Sequence, residues 1–123
     1  MRATDDRKWI LVVDDEKLVR DVLKCYLTTA GYAVELAPSG PAALDCLETA
    51  TFDGVVTDNN MPCMMGAELA VILKKRWPTM VVVMFTGCPP AHPVPCLDEI
   101  LYKPGDYPLL VPTLQKLLGR PPA

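Results

Sequence analysis

The 123-residue sequence contains no apolar run approaching the roughly 20 residues that a membrane-spanning helix needs. Its charged start, Met1 to Lys8, is not followed by a long apolar stretch with a small-residue cleavage site, so no secretory leader is expected. A basic excess is also missing. Twelve Lys and Arg stand against 15 Asp and Glu, a net charge of −3, whereas a protein that grips nucleic-acid phosphates needs a positive stripe. The five cysteines (Cys25, Cys46, Cys63, Cys88 and Cys96) are odd in number and include no CxxC pair. That argues against an oxidised disulfide scaffold and for a reducing, cytoplasmic home. Internal repeats and linkers are absent, and the length fits one domain spanning 1–123, with a core at about 8–119. Proline is absent from residues 1–37, yet nine of the 13 prolines follow Phe85.

What is present is core material. Half the residues are hydrophobic, too many for a disordered chain. Trp9 to Val13 is a short continuous apolar run, suited to a strand buried on both faces. Leu18, Val19, Val22, Leu23, Tyr26 and Leu27 then fall at helical spacing, with Gly31 where a C-terminal cap belongs. A second strand is expected over Tyr32 to Ala37. A helix follows, capped by Ser39 with Pro41 in its first turn. Phe52 to Thr57 reads as a third strand, and Gly66 to Trp77 as a third helix stopped by Pro78. Met80 to Phe85 is the most apolar strand, and Ile100 to Tyr102 is a short fifth. Asp106 stands where it can cap a last helix ending at Leu118, and the tail Arg120 to Ala123 is expected to fray. This alternation predicts an α/β fold, a doubly wound parallel sheet with right-handed crossovers.

Ligands of such sheets bind outside the carboxyl ends of the strands. The first strand ends at Asp14 and Asp15, the third at Asp58, the fourth at Thr86 and Gly87, and the fifth at Lys103 and Pro104. Acids at strand ends are often only solvated turn residues; a set drawn from four different strands is not well described that way. At about 4 Å and an effective dielectric near 20, each carboxylate pair costs about 4 kcal/mol. Oxygen-only ligands at a shallow site suit Mg²⁺. Mg²⁺ and Lys103 together cancel three negative charges, so the pocket can accept a phosphoryl group. One carboxylate then serves as nucleophile, while metal and lysine stabilise the transferring oxygens.

Val12-Val13-Asp14-Asp15, Asp58-Asn59-Asn60-Met61-Pro62 with Gly66 behind it, Phe85-Thr86-Gly87 and Lys103-Pro104 resemble, as an ordered set, the receiver domain of bacterial two-component response regulators. The resemblance spans essentially the whole chain. It implies a flavodoxin-like (βα)5 fold with strand order 2-1-3-4-5. It implies that Asp58 accepts a phosphoryl group from a phosphohistidine of a sensor histidine kinase or phosphotransfer protein. Asp14, Asp15, Asp58 and the backbone carbonyl of Asn60 would hold Mg²⁺, Lys103 would bind a phosphoryl oxygen, and Thr86 would be the switch hydroxyl. Such a domain catalyses only its own phosphorylation and dephosphorylation. With no effector domain attached, its output would pass to a downstream protein, with no direct nucleic-acid or membrane contact.

The sequence departs from that family in three places. Only 13 residues separate Thr86 from Ile100, and Pro89, Pro90, Pro93 and Pro95 are among them. Proline costs about 3 kcal/mol inside a helix and disfavours helix at the preceding residue. The fourth helix is therefore expected to be degenerate or missing, with at most one turn near Leu97 to Glu99. Ile100 replaces the family's usual aromatic switch residue. Tyr102 lies on the same strand face but is a weak substitute. Pro112 should kink the last helix or delay its start.

Three weaker signals remain. Cys88, His92 and Cys96, with Cys63, have the ligand types of a zinc site but not a standard spacing. Met61, Met64 and Met65 read as a docking patch or, preferably, as loop packing. Cys25 and Cys46 read as inert core. Competing functions are a pseudo-receiver that acts as a phosphorylation-independent interaction module and, last, an aspartyl-phosphate phosphatase. The phosphatase pattern needs a second Asp two residues after the first, and Glu16 occupies that place.

Overall fold

The structure, a computed structural model, describes residues 7–119; both the charged start up to Asp6 and the tail from Arg120 lie outside the described residues. The elements run β1 (Trp9–Val13), α1 (Lys17–Thr29), β2 (Ala33–Ala37), α2 (Gly40–Thr49), β3 (Gly54–Thr57), α3 (Gly66–Arg76), β4 (Val81–Thr86), β5 (Glu99–Tyr102) and α4 (Tyr107–Leu118). The sheet is five-stranded, with order β2-β1-β3-β4-β5 and every pair parallel. The expected fold class and strand order are both present. No described helix is long and apolar enough to cross a membrane.

Period-two alternation divides the core. Ile10, Val12, Val56, Val83 and Phe85 face α1 and α4, meeting Leu23, Leu27, Leu110 and Leu114. Leu11, Val13, Val55 and Val82 face the other way, onto Leu47 of α2 and Leu69 and Leu73 of α3. The apolar residues of α1 form two adjacent rows. Leu23 and Leu27 are buried with Val19 beside them, but Leu18 is 75% exposed, and Val22 and Tyr26 are also exposed. One helix can press only one row onto a sheet. Cys25 lies on the outward side, so it is solvent-exposed and not inert core as expected; Cys46 does pack against the core.

The helix ends follow their sequences. Ser39 Oγ accepts from the Ala42 amide at 3.2 Å, with Pro41 in the first turn of α2. Gly31 follows α1 with φ of 104°. Asp106 does occupy the N-cap position of α4, but its carboxylate accepts from the Tyr102 amide at 2.8 Å, so it ties the helix start to β5 and makes no cap bond. Pro112 sits on the exposed side of α4, and the helix starts without delay at Tyr107 and runs unbroken through it.

No helix joins β4 to β5. Residues 87–98 form an irregular segment, with a Leu97 amide to Val94 carbonyl bond of 3.1 Å closing a turn slightly earlier than expected. Val94, Cys96 and Leu97 nevertheless pack on the α2/α3 side of the core. Asp98 fixes the far end. Its amide donates to the Val82 carbonyl at 2.9 Å, its carboxylate accepts from the Val82 amide at 2.8 Å, and Lys74 of α3 donates to the same oxygen at 2.7 Å.

Asp98→Ala leaves the Val82 amide without this acceptor and should cost about 2 kcal/mol. Lys74→Met removes only a partly exposed ion pair and leaves the Val82 amide its acceptor, and should cost about 1 kcal/mol or less. Urea unfolding of the two variants measures the difference, and equal losses would contradict this account of Asp98.

Candidate functional site

Parallel register brings the strand ends to one edge of the sheet. The Asp14 amide donates to the Ala37 carbonyl, and the Asp58 amide to the Val13 carbonyl at 2.9 Å, so the two acids sit side by side where β1 and β3 end. The Lys103 amide donates to the Thr86 carbonyl at 3.0 Å, which seats the lysine at the matching end of β5; the Lys103–Pro104 peptide is cis.

Carboxylate oxygens of Asp14, Asp15 and Asp58 lie within 4.8 Å of one another. Asp14 and Asp58 are buried, whereas Asp15 faces solvent. Lys103 reaches in from the side. Its Nζ is 2.6 Å from Asp14 Oδ2 and 3.5 Å from Asp58 Oδ2, and it lies 5.8 Å from the centre of the Phe85 ring. Burial disfavours the charge on Lys103, but the hydrogen bond and charge of Asp14, with the charge of Asp58, outweigh it and hold the pKa above the ordinary 10.5. A raised lysine pKa contributes stability that is fully present below about pH 10.5 and is lost as pH climbs through the raised value. Arg20 donates to the Asp14 carbonyl at 2.8 Å, and the Glu16 amide donates to Asp14 Oδ1 at 2.9 Å.

Three carboxylates against one contacting ammonium leave two uncompensated negative charges. Hard oxygen ligands, one of them open to solvent, suit a divalent cation that keeps part of its water shell, as Mg²⁺ does. Asn60, two residues after Asp58, is exposed. Thr86 is buried, and its hydroxyl accepts from the Cys88 amide at 3.0 Å. Ile100 is half-buried, and Tyr102 is 49% exposed on the same strand.

Within the run Asp58 to Pro62, the sequence assigns Asn59 no role. In the structure it is 3% exposed and uses every polar atom. Its amide donates to Asp58 Oδ1 at 2.7 Å, its Nδ2 to the Cys88 carbonyl at 3.0 Å, its Oδ1 accepts from the Ala67 amide at 3.1 Å, and its carbonyl accepts from the Gly66 amide at 2.8 Å. Its signal in the sequence is a polar residue directly after a buried acid at a strand end. Gly66 is compulsory here, since a Cβ would fall 2.0 Å from the Asp58 carbonyl oxygen.

The thiol and histidine set does not assemble. Among the described residues, the only group of three or more metal-ligating side chains is the acidic one, and Cys63, Cys88 and Cys96 are free. Cys63, with a φ of 70°, and Cys88 are exposed, whereas Cys96 packs against the core. Met61 is buried and Met64 lies against Gly40, which favours loop packing; Met65 is exposed at the start of α3.

A family model described as the response regulator receiver domain matches residues 10–92. The response regulator MprA of Mycolicibacterium vanbaalenii is 39% identical over 78 residues, 63% of this chain and 34% of that protein; the chain thus spans about a third of the length of the curated relatives it matches. The response regulator TrrA of Thermotoga maritima, in complex with Mg²⁺ and BeF, superposes with a TM-score of 0.82 at 31% identity, covering 90% of this chain and 99% of that one. Chemotaxis protein CheY4 of Vibrio cholerae gives 0.83 at 29% identity over 91% of this chain and 99% of its own. TrrA has also been seen in complex with the histidine kinase ThkA, where it matches with a TM-score of 0.82 at 31% identity over 90% of this chain and 98% of that one.

Lys103→Met leaves the buried Asp14 carboxylate without its cation and should destabilise the metal-free protein by about 3 kcal/mol. Adding Asp14→Asn to that variant should restore part of the loss. Denaturant midpoints of the single and double variants test the pairing, and additive losses would refute it.

Proposed function

The chain belongs to the response regulator receiver domain family, and from that premise we propose that it is the phosphoacceptor of a two-component phosphorelay, with Asp58 as the residue modified. The observation that carries this reading is the position of Lys103, whose Nζ touches the carboxylates of both Asp14 and Asp58. Residues 8–119 act in this reading as one receiver domain.

An Asp58 carboxylate oxygen attacks the phosphorus of a phosphohistidine. The O–P bond forms as the P–N bond breaks, and the electron pair leaves on the imidazole. Lys103 neutralises charge on the phosphoryl oxygens as they shift toward Asp58. The buried Thr86 hydroxyl, now an acceptor for the Cys88 amide, is the donor available to a phosphoryl oxygen. Asp14, Asp15, Asp58 and the Asn60 carbonyl would hold Mg²⁺, which supplies two positive charges to balance the acidic cluster. The chain modifies only itself, in the cytoplasm, and its donor is a sensor histidine kinase or a phosphotransfer protein. The exposed row Leu18, Val22 and Tyr26 begins just beyond Asp14 and Asp15 and offers that donor an apolar contact. Output passes to a downstream protein without direct contact with nucleic acid or membrane.

A second reading, a pseudo-receiver that binds partners without phosphorylation, draws on the irregular segment 87–98 and the exposed Tyr102. Incubation with Mg²⁺ and acetyl phosphate separates the two. Intact-mass spectrometry should show one added phosphoryl group, absent in Asp58→Asn and absent when EDTA removes the metal. A wild-type chain that stays unmodified under these conditions favours the pseudo-receiver.

A further inference from the structure

Asn59 occupies a junction. Its backbone amide binds the Asp58 carboxylate, and its side chain joins α3 to the start of the proline-rich segment, at the opposite end from the Lys74–Asp98 ion pair. Oδ1 accepts from the Ala67 amide in the first turn of α3, while Nδ2 donates to the Cys88 carbonyl, where the proline-rich segment leaves β4.

The two sides of this junction differ in freedom. On the α3 side the Gly66 amide bonds the Asn59 carbonyl, and the backbones are so close that no Cβ fits at Gly66. That contact cannot slide. On the other side, residues 88–97 are held at Cys88 by the Asn59 side chain and by the Thr86 hydroxyl, and at the far end by Asp98. Between those ends the segment and α3 form the walls of an apolar groove of about 520 Å³, lined by Ala67 and Val71 on one side and Pro93, Val94 and Cys96 on the other. The Asn59 carboxamide therefore pins the two walls together at the end nearest Asp58.

We propose that Asn59 is a positioning residue that couples the state of Asp58 to segment 88–97, so that the irregular segment reports phosphorylation in place of a helix. Converting the Asp58 carboxylate to an acyl phosphate withdraws negative charge from the acceptor of the Asn59 amide. The Asn59 peptide adjusts. Because its α3 contacts are jammed, the adjustment is delivered through Nδ2 to Cys88 and along the segment. This inference rests on the proposed phosphoacceptor role of Asp58.

The test follows backbone amides by NMR in the full chain with Mg²⁺, before and after beryllofluoride. The amides of Thr57 and Lys103 report occupancy at Asp58, and those of Cys88, Ala91, His92, Val94, Cys96 and Leu97 report the segment. In the wild-type protein both groups should shift. In Asn59→Leu, similar in size but without donor or acceptor, the Thr57 and Lys103 shifts should persist while those of Cys88 to Leu97 fall away. If Asn59→Leu does not fold, Asn59→Ser, too short to reach both partners, takes its place in the same comparison. A purely structural Asn59 would lower the melting temperature yet leave the segment's response intact. A segment that still responds in the variant overturns the inference and routes the signal through Thr86. A wild-type protein in which neither group responds overturns the phosphoacceptor reading and this inference with it.

Discussion

Three carboxylates must be held in one pocket against their mutual repulsion, and Lys103 is the cation that makes this possible. Its ammonium lies 2.6 Å from one buried acid and 3.5 Å from another. The pocket therefore has a defined geometry before any divalent cation arrives. The arrangement depends in turn on the parallel sheet. Only when β1, β3 and β5 run in the same direction do Asp14, Asp58 and Lys103, far apart in sequence, reach the same edge. The apolar alternation that builds the two halves of the core thus also fixes the chemistry, because a one-residue slip in any strand would turn its terminal residue away.

The missing helix leaves a groove beside α3 but does not leave the sheet bare. Val94, Cys96 and Leu97 cover the sheet where helical side chains would lie, and Asp98 replaces the helix end with a carboxylate clasp on Val82. Burial is preserved, but backbone hydrogen bonding is not, since few bonds hold residues 87–98. The acidic pocket is built from strand ends and does not depend on that helix, which is why its geometry is intact beside a rebuilt neighbour.

Much of this was legible in the residues. The Trp9 to Val13 run, the Ser39-Gly40-Pro41 start of α2 and the four prolines between Thr86 and Ile100 each state their outcome locally, and the structure follows them. The acids and the lysine were legible as strand ends. What the sequence could not express was choice among equivalent local options. Leu18, Val22 and Tyr26 keep helical spacing as well as Leu23 and Leu27 do, and packing against the sheet decides which row is buried, leaving Cys25 outside. Asp106 has the right residue type for a cap, yet the Tyr102 amide competes for its carboxylate. Asn59 reads as one polar residue among several, because its partners at Ala67 and Cys88 are distant in sequence and come together only in the fold.

The prolines between Thr86 and Ile100 carry a thermodynamic meaning besides the loss of a helix. A helix stays ordered through backbone hydrogen bonds that form together and melt together. A chain with prolines at 89, 90, 93 and 95 is ordered instead by fixed dihedral angles. It has fewer conformations to lose on folding, so it keeps a definite shape with little hydrogen bonding to hold it. Such a segment has no helical turns to fray or rewind. Its order comes from covalent restriction of φ and from the anchors at Cys88 and Asp98, and not from helical cooperativity.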